Sequence, residues 1–151
     1  MKRISLVSYL LLILVTLISC SQKIDFSKLE ESKYGDIGEN KDISAKVKET
    51  EITTNTQEIT LLFTNNSDNE YGFDNETHLE INHNGVWYVV PLSEKAAWTD
   101  IGYIMSKKDK AKKQILLKDY YGKLESGRYR IINKFYSNGD EVLVPVEFNV
   151  K

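Results

Sequence analysis

The chain has 151 residues, a formal net charge of −2, 41% hydrophobic and 28% charged residues. That length suits one domain plus a targeting segment. A mildly acidic balance is a poor match for nucleic acid, so no nucleic-acid partner is expected. Nine Tyr, five Phe and two Trp against two Met and two Pro favour strands over helices.

The N-terminus reads "MKRISLVSYLLLILVTLISC". Lys2 and Arg3 precede an apolar run that is short for a spanning helix, which needs roughly 20 residues. This is signal-peptide architecture. The run closes on Leu17, Ile18, Ser19 and Cys20, and Cys20 is the only cysteine in the chain. One thiol has no disulfide partner. The ending resembles the bacterial lipobox, which implies cleavage before Cys20 and lipid attachment to its sulfur. The expected division is a signal peptide over 1–19, a lipidated cysteine and flexible tether over 20–42, and a domain over 43–151. The resulting protein is expected at the cell membrane, lipid-anchored on the extracytoplasmic side. The tether is polar and charged, and its scattered Ile24, Phe26, Leu29 and Ile37 form no convincing amphipathic stripe.

From Ile43 onward the hydrophobic period is two. "ISAKVKETEI" and "EITLLFTNN" each alternate. "HLEINHNGVWYVVP" reads as two strands around Asn84 and Gly85, a strong hairpin signal. "AKKQILLKDYYG", "SGRYRIINKFYS" and "EVLVPVEFNVK" follow, the last two joined at Asn138 and Gly139. About seven strands with short turns predict an all-β, immunoglobulin-like β-sandwich. Leu124, Gly127 and Tyr129 have the spacing of a tyrosine corner, although simple alternation of Tyr129 into the core explains the spacing equally well.

Four segments, "ITLLFTNNSDNEYGF", "LEINHNGVWYVVP", "WTDIGYIM" and "YYGKLESGRYRI", resemble a bacterial immunoglobulin-like domain found in lipoproteins and exported proteins of low-GC Gram-positive bacteria. The resemblance covers roughly 44–150. It departs at Ser106, Lys107, Lys108 and Asp109, where a Pro-Gly turn is more usual. It implies architecture and no common activity.

No catalytic motif is present. Cys20 is committed to the anchor, and His78 and His83 share one hairpin. The expectation is a non-enzyme without cofactor. Asp68, Glu70, Asp74 and Glu76 form a weak Ca²⁺ candidate; a solvated loop is the competing reading. Lys107, Lys108, Lys110, Lys112 and Lys113 suit anionic lipid or a wall polymer, or else a charged edge that resists strand addition. Trp87 faces the core if the hairpin has a three-residue loop with a bulge, and faces away if the loop has two residues. Burial by the first route is expected. If exposed, Trp87, Trp98 and Tyr103 offer an aromatic platform. The functional expectation is a non-catalytic binding module for an envelope protein or cell-wall polymer. A solute- or glycan-binding domain and a passive spacer are the alternatives.

Overall fold

The computed structural model describes residues 24–99 and 101–151. The expected signal peptide, the lipobox-like ending and Cys20 lie outside the described residues. Among the described residues nine strands form two antiparallel sheets. The small sheet has the order β1 (Ile43–Val47), β2 (Ile59–Asn65), β7 (Lys110–Ile115). The large sheet is built on β8 (Gly127–Ser137), which pairs along its whole length with β9 (Asp140–Val150).

A strand has two edges, so everything else on β8 shares the other one. Two short strands occupy it end to end. β3 (Tyr71–Asp74) pairs with Phe135 and Tyr136, and β4 (His78–His83) pairs with residues 128–132. β5 (Val86–Val89) flanks β4, and β6 (Gly102–Met105) flanks β3. Two lanes are therefore interrupted strands. Nine strands fill seven lanes, three in one sheet and four in the other, which is an Ig-like sandwich.

The two sheets bury alternate residues against each other. Phe63, Phe73 and Phe135 meet at the centre, with ring centroids 5.1–5.9 Å apart. Ile59, Leu61, Leu79, Ile131 and Ile115 surround them, all buried. Two Asn-Gly turns close hairpins. Asn84 and Gly85 have φ of 52° and 87°, and Asn138 and Gly139 have 53° and 90°. Positive φ at both central residues suits the right-handed twist of the flanking strands. Lys108 also has positive φ, 58°, at the departure from the family pattern. There its Nζ donates to the Asn66 carbonyl at 2.8 Å and lies 3.4 Å from Asp68.

Three sequence expectations need correction. The stretch around Tyr71–Asp74, read as a loop, holds β3. The residues after Ile115 form a short helix, α1 (Leu117–Tyr121), rather than continuing a strand. Residues 24–35, assigned to a flexible tether, lie along the domain. Ile24, Phe26 and Leu29 pack against the core cluster. Phe26–Lys28 form one 3₁₀ turn, capped by the Asp25 side chain. Among the described residues no helix is long and apolar enough to cross a membrane.

Candidate functional site

The outer face of β4, β5 and β8 carries charge. Leu79 and Ile81 point into the core, so Glu80 between them points out. The register sets Glu80 opposite Arg130, and Asn82 opposite Trp87. Arg130 Nε donates to Glu80 Oε2 at 2.6 Å. The Arg130 guanidinium sits 4.4 Å from the Trp87 ring, within cation–π range. Arg128 lies over the same ring at 5.4 Å.

An outward ion pair is normally solvated. Here Glu80 is 0% and Arg130 1% exposed. Residues 30–35 cover them. Val89 N–H donates to the Glu30 carbonyl at 2.8 Å, and Ser32 N–H donates to the Trp87 carbonyl at 2.8 Å. Glu31 thereby pairs with Tyr88 as an added strand position. Arg130 Nη2 donates to the Gly35 carbonyl at 2.8 Å and to Ser32 Oγ at 3.3 Å. Both histidines receive an aromatic from the same segment. Phe26 stacks on His83 with centroids 4.0 Å apart, and Tyr34 meets His78 edge-on at 5.4 Å.

Burial alone would push the Glu80 carboxyl up. Polar contact with His78 and Ser32, the Arg130 hydrogen bond and the Arg130 charge outweigh it and hold the group below its ordinary range. His78 Nε2 lies 3.2 Å from Glu80 Oε1, and among the described residues neither buried atom makes a hydrogen bond.

Trp87 is buried, but not by the expected route. The loop has two residues, so Trp87 faces outward with Asn82. The covering segment and the two arginines enclose it instead. Trp98 is half-buried against Tyr120 at 4.2 Å, and Tyr103 stacks on Phe73 at 5.3 Å on the core side. Trp87 and Tyr103 sit level with Arg128 and Phe135 of β8, a separation of roughly 23 Å along the strand. The three aromatics form no common platform.

The acidic stretch does not converge either. Among the described residues no group of three acidic, His or Cys side chains gathers as a metal site. Asp68 pairs with Lys108, while Asp74 and Glu76 turn their carbonyls to Lys113 Nζ at 2.7 and 2.8 Å. Lys113 thus leaves the basic run. It points between the sheets and bridges the interruption between β3 and β4. Burial lowers its ammonium to about 8 against the pull of Asp74 and Glu76. Lys107, Lys108, Lys110 and Lys112 remain exposed.

At the β8 entry the Tyr129 hydroxyl donates to the Glu125 carbonyl at 2.9 Å, the geometry of a tyrosine corner. Leu124 is buried beside it, and a Cβ on Gly127 would stand 3.3 Å from Ile81 Cδ1. Replacing Tyr129 by Phe is expected to cost about 1 kcal/mol, the net worth of one such bond. A lower urea midpoint at unchanged m-value would show it; an unchanged midpoint would mean the bond contributes nothing.

A groove of about 780 Å³ follows the seam between β1 and β9, lined by Ile43, Val47, Ile52, Val144 and Phe148. None of the residues nominated from sequence lines it. A smaller one of about 370 Å³ lies between Glu31, Ser32, Gly35 and Trp87.

Sequence reasoning missed Glu80 and Arg130, and it placed Lys113, which is buried, in a charged surface run. The first two alternate with core residues in "LEI" and "YRI", which reads as an ordinary solvent face. Only the Glu80–Arg130 register brings them together.

Two antiparallel sheets in seven lanes, a tyrosine corner and a charged outer face define an Ig-like domain. The chain belongs to the bacterial Ig-like domain family, whose model matches residues 39–149. That membership is consistent with a non-catalytic module. No curated protein matches the chain by sequence. Among solved structures it is similar to the periplasmic chaperone SfaE, at 12% identity and a TM-score of 0.47, over 72% of this chain and 56% of that one.

Proposed function

We propose that the chain is a lipid-anchored envelope protein whose Ig-like domain is a non-catalytic binding module. One observation carries the reading: the sole cysteine closes an apolar run, directly after Leu17, Ile18 and Ser19. Two or three acyl chains hold a protein stably at a bilayer, at about 0.8 kcal/mol per buried CH₂.

The docked segment supports a close hold on the membrane. Four peptide units separate Cys20 from Ile24 and reach at most about 14 Å. Phe26 rests on His83, beside the turn at Asn84 and Gly85. With Cys20 in the bilayer, that end of the sandwich is the near end. The exposed Lys107, Lys108 and Lys110 sit at the other end of β8, roughly 30 Å away. They then face a partner outside the membrane, an envelope protein or wall polymer, rather than lipid headgroups.

Replacing Cys20 by Ala is expected to move the protein from the membrane fraction to the soluble or secreted fraction, read by blotting of fractionated cells. Unchanged membrane fractionation of the variant would end the anchor reading.

A further inference from the structure

β5 has one edge on β4, and its other edge carries residues 30–32 through two backbone hydrogen bonds. This is strand addition, the mode by which many domains take an extended peptide. The added segment is itself lightly held. None of residues 24–42 is buried; they alternate between exposed and half-buried. Yet they bury the Glu80–Arg130 pair completely. Segments with few buried contacts open most easily. The underlying surface is the opposite case. Glu80, Arg130 and Trp87 sit on three paired strands and keep their places through the sheet.

The contacts fall on the segment in a definite order. Phe26 covers His83, Glu30 and Ser32 make the ladder bonds, Tyr34 covers His78, and the Gly35 carbonyl meets Arg130. We propose that the β5 edge, with Arg130 and the two histidines, is an acceptor site for a peptide that is extended over about three residues, filled in the resting chain by residues 26–35. The partner it fits pairs about three residues with β5, turns on either side of them, and sets one aromatic ring on His83 and a second on His78, on opposite faces of β4. Such a peptide binds by displacing the chain's own segment. Displacement also lengthens the hold on the membrane. About 16 free residues, from Cys20 to the end of the displaced segment, reach ~50 Å, where four reach about 14 Å. This last consequence rests on the lipid anchor; the acceptor site does not.

The test uses the mature chain carrying Cys20→Ser, so failure of the site and failure of the anchor are separate results. Phe26→Ser and Tyr34→Ser are added to loosen the segment, and the probe is a synthetic peptide of residues 24–36. A competitor in cis lowers apparent affinity by the fraction of time the site is open. The peptide should therefore bind the loosened chain one-to-one and at least about tenfold tighter than the unloosened chain. It should also restore slow hydrogen exchange at Val89 N–H, while a scrambled peptide does neither. No binding near 1 mM peptide, or equal binding to both chains without protection of Val89, overturns the proposal. Should the loosened chain fail to fold, a nitroxide-bearing peptide is titrated into the unloosened chain. Broadening confined to β5 amides supports the site, and its absence overturns it. A concentration-dependent dimer that the peptide dissolves would make the occupant a second copy and overturn the choice of a foreign strand.

Discussion

Replacing Arg130 by Met should destabilise the domain by about 3–5 kcal/mol, far more than loss of a surface ion pair. The guanidinium serves three partners: the Glu80 carboxylate, the Gly35 carbonyl and the Trp87 ring. Methionine fills much of the volume and answers none of them. A carboxylate with no exposure would keep its charge with no cation beside it. The pH dependence identifies the cause. In the wild type Glu80 is held below its ordinary range, so it stabilises the fold above that range. That contribution is lost as pH falls through the lowered native value. In the variant burial raises Glu80 instead, and protonation favours the native state. The gap between the two proteins should therefore shrink from pH 7 towards pH 4. Adding Glu80→Gln to Arg130→Met should recover part of the loss, read as positive coupling in a double-mutant cycle. Urea melts of the four proteins measure all of this. A loss under about 1 kcal/mol would mean that the pair is solvated and the covering segment absent.

The second large effect belongs to Lys113. Lys113→Met should cost about 3 kcal/mol at pH 7, because two part-buried carbonyls lose their donor at about 1–3 kcal/mol each. The cost should grow with pH. Native Lys113 releases its proton near 8, while the unfolded chain keeps it to about 10.5. Between those values the unfolded state binds more protons, so wild-type stability rises with pH. The neutral amine still has two hydrogens for the carbonyls of Asp74 and Glu76. Methionine has no such term, and the gap widens from pH 8 to 10. Above pH 10 both proteins should lose stability together. Tyr121 and Tyr129 are pushed up to about 12 by burial, so unfolded tyrosines ionise first. Thermal melts from pH 7 to 11 decide the matter. A gap that narrows between pH 8 and 10 would show that the charge itself holds the two carbonyls.

Much of the sandwich is legible in the sequence because alternation is a local signal. β2, β4, β8 and β9 are long enough to show it, and both Asn-Gly turns mark their own hairpins. β3 and β6 have four residues each; Gly72 sits inside β3, and Gly102 opens β6. They exist because β8 supplies a template for β3 and β3 one for β6, which no local window contains. The outer-face site is hidden for a related reason. Glu80 and Arg130 look like solvent-facing positions until a segment about fifty residues before Glu80 closes over them. That segment has no stripe of its own. Phe26, Glu30, Ser32 and Tyr34 make sense only against the strand and rings they meet. Trp87 shows how a right expectation of burial can rest on a wrong register: the two-residue turn sends it outward, where the covering segment and two arginines enclose it.

Amide hydrogen exchange at Val89 and Ser32 in the intact chain tests most directly whether residues 24–35 are part of the folded domain. Their N–H groups make the two bonds that join this segment to β5. Both should exchange at least about tenfold more slowly than an unstructured amide, and Arg130→Met should remove the protection together. Exchange of both at the unstructured rate in the wild type would contradict the account.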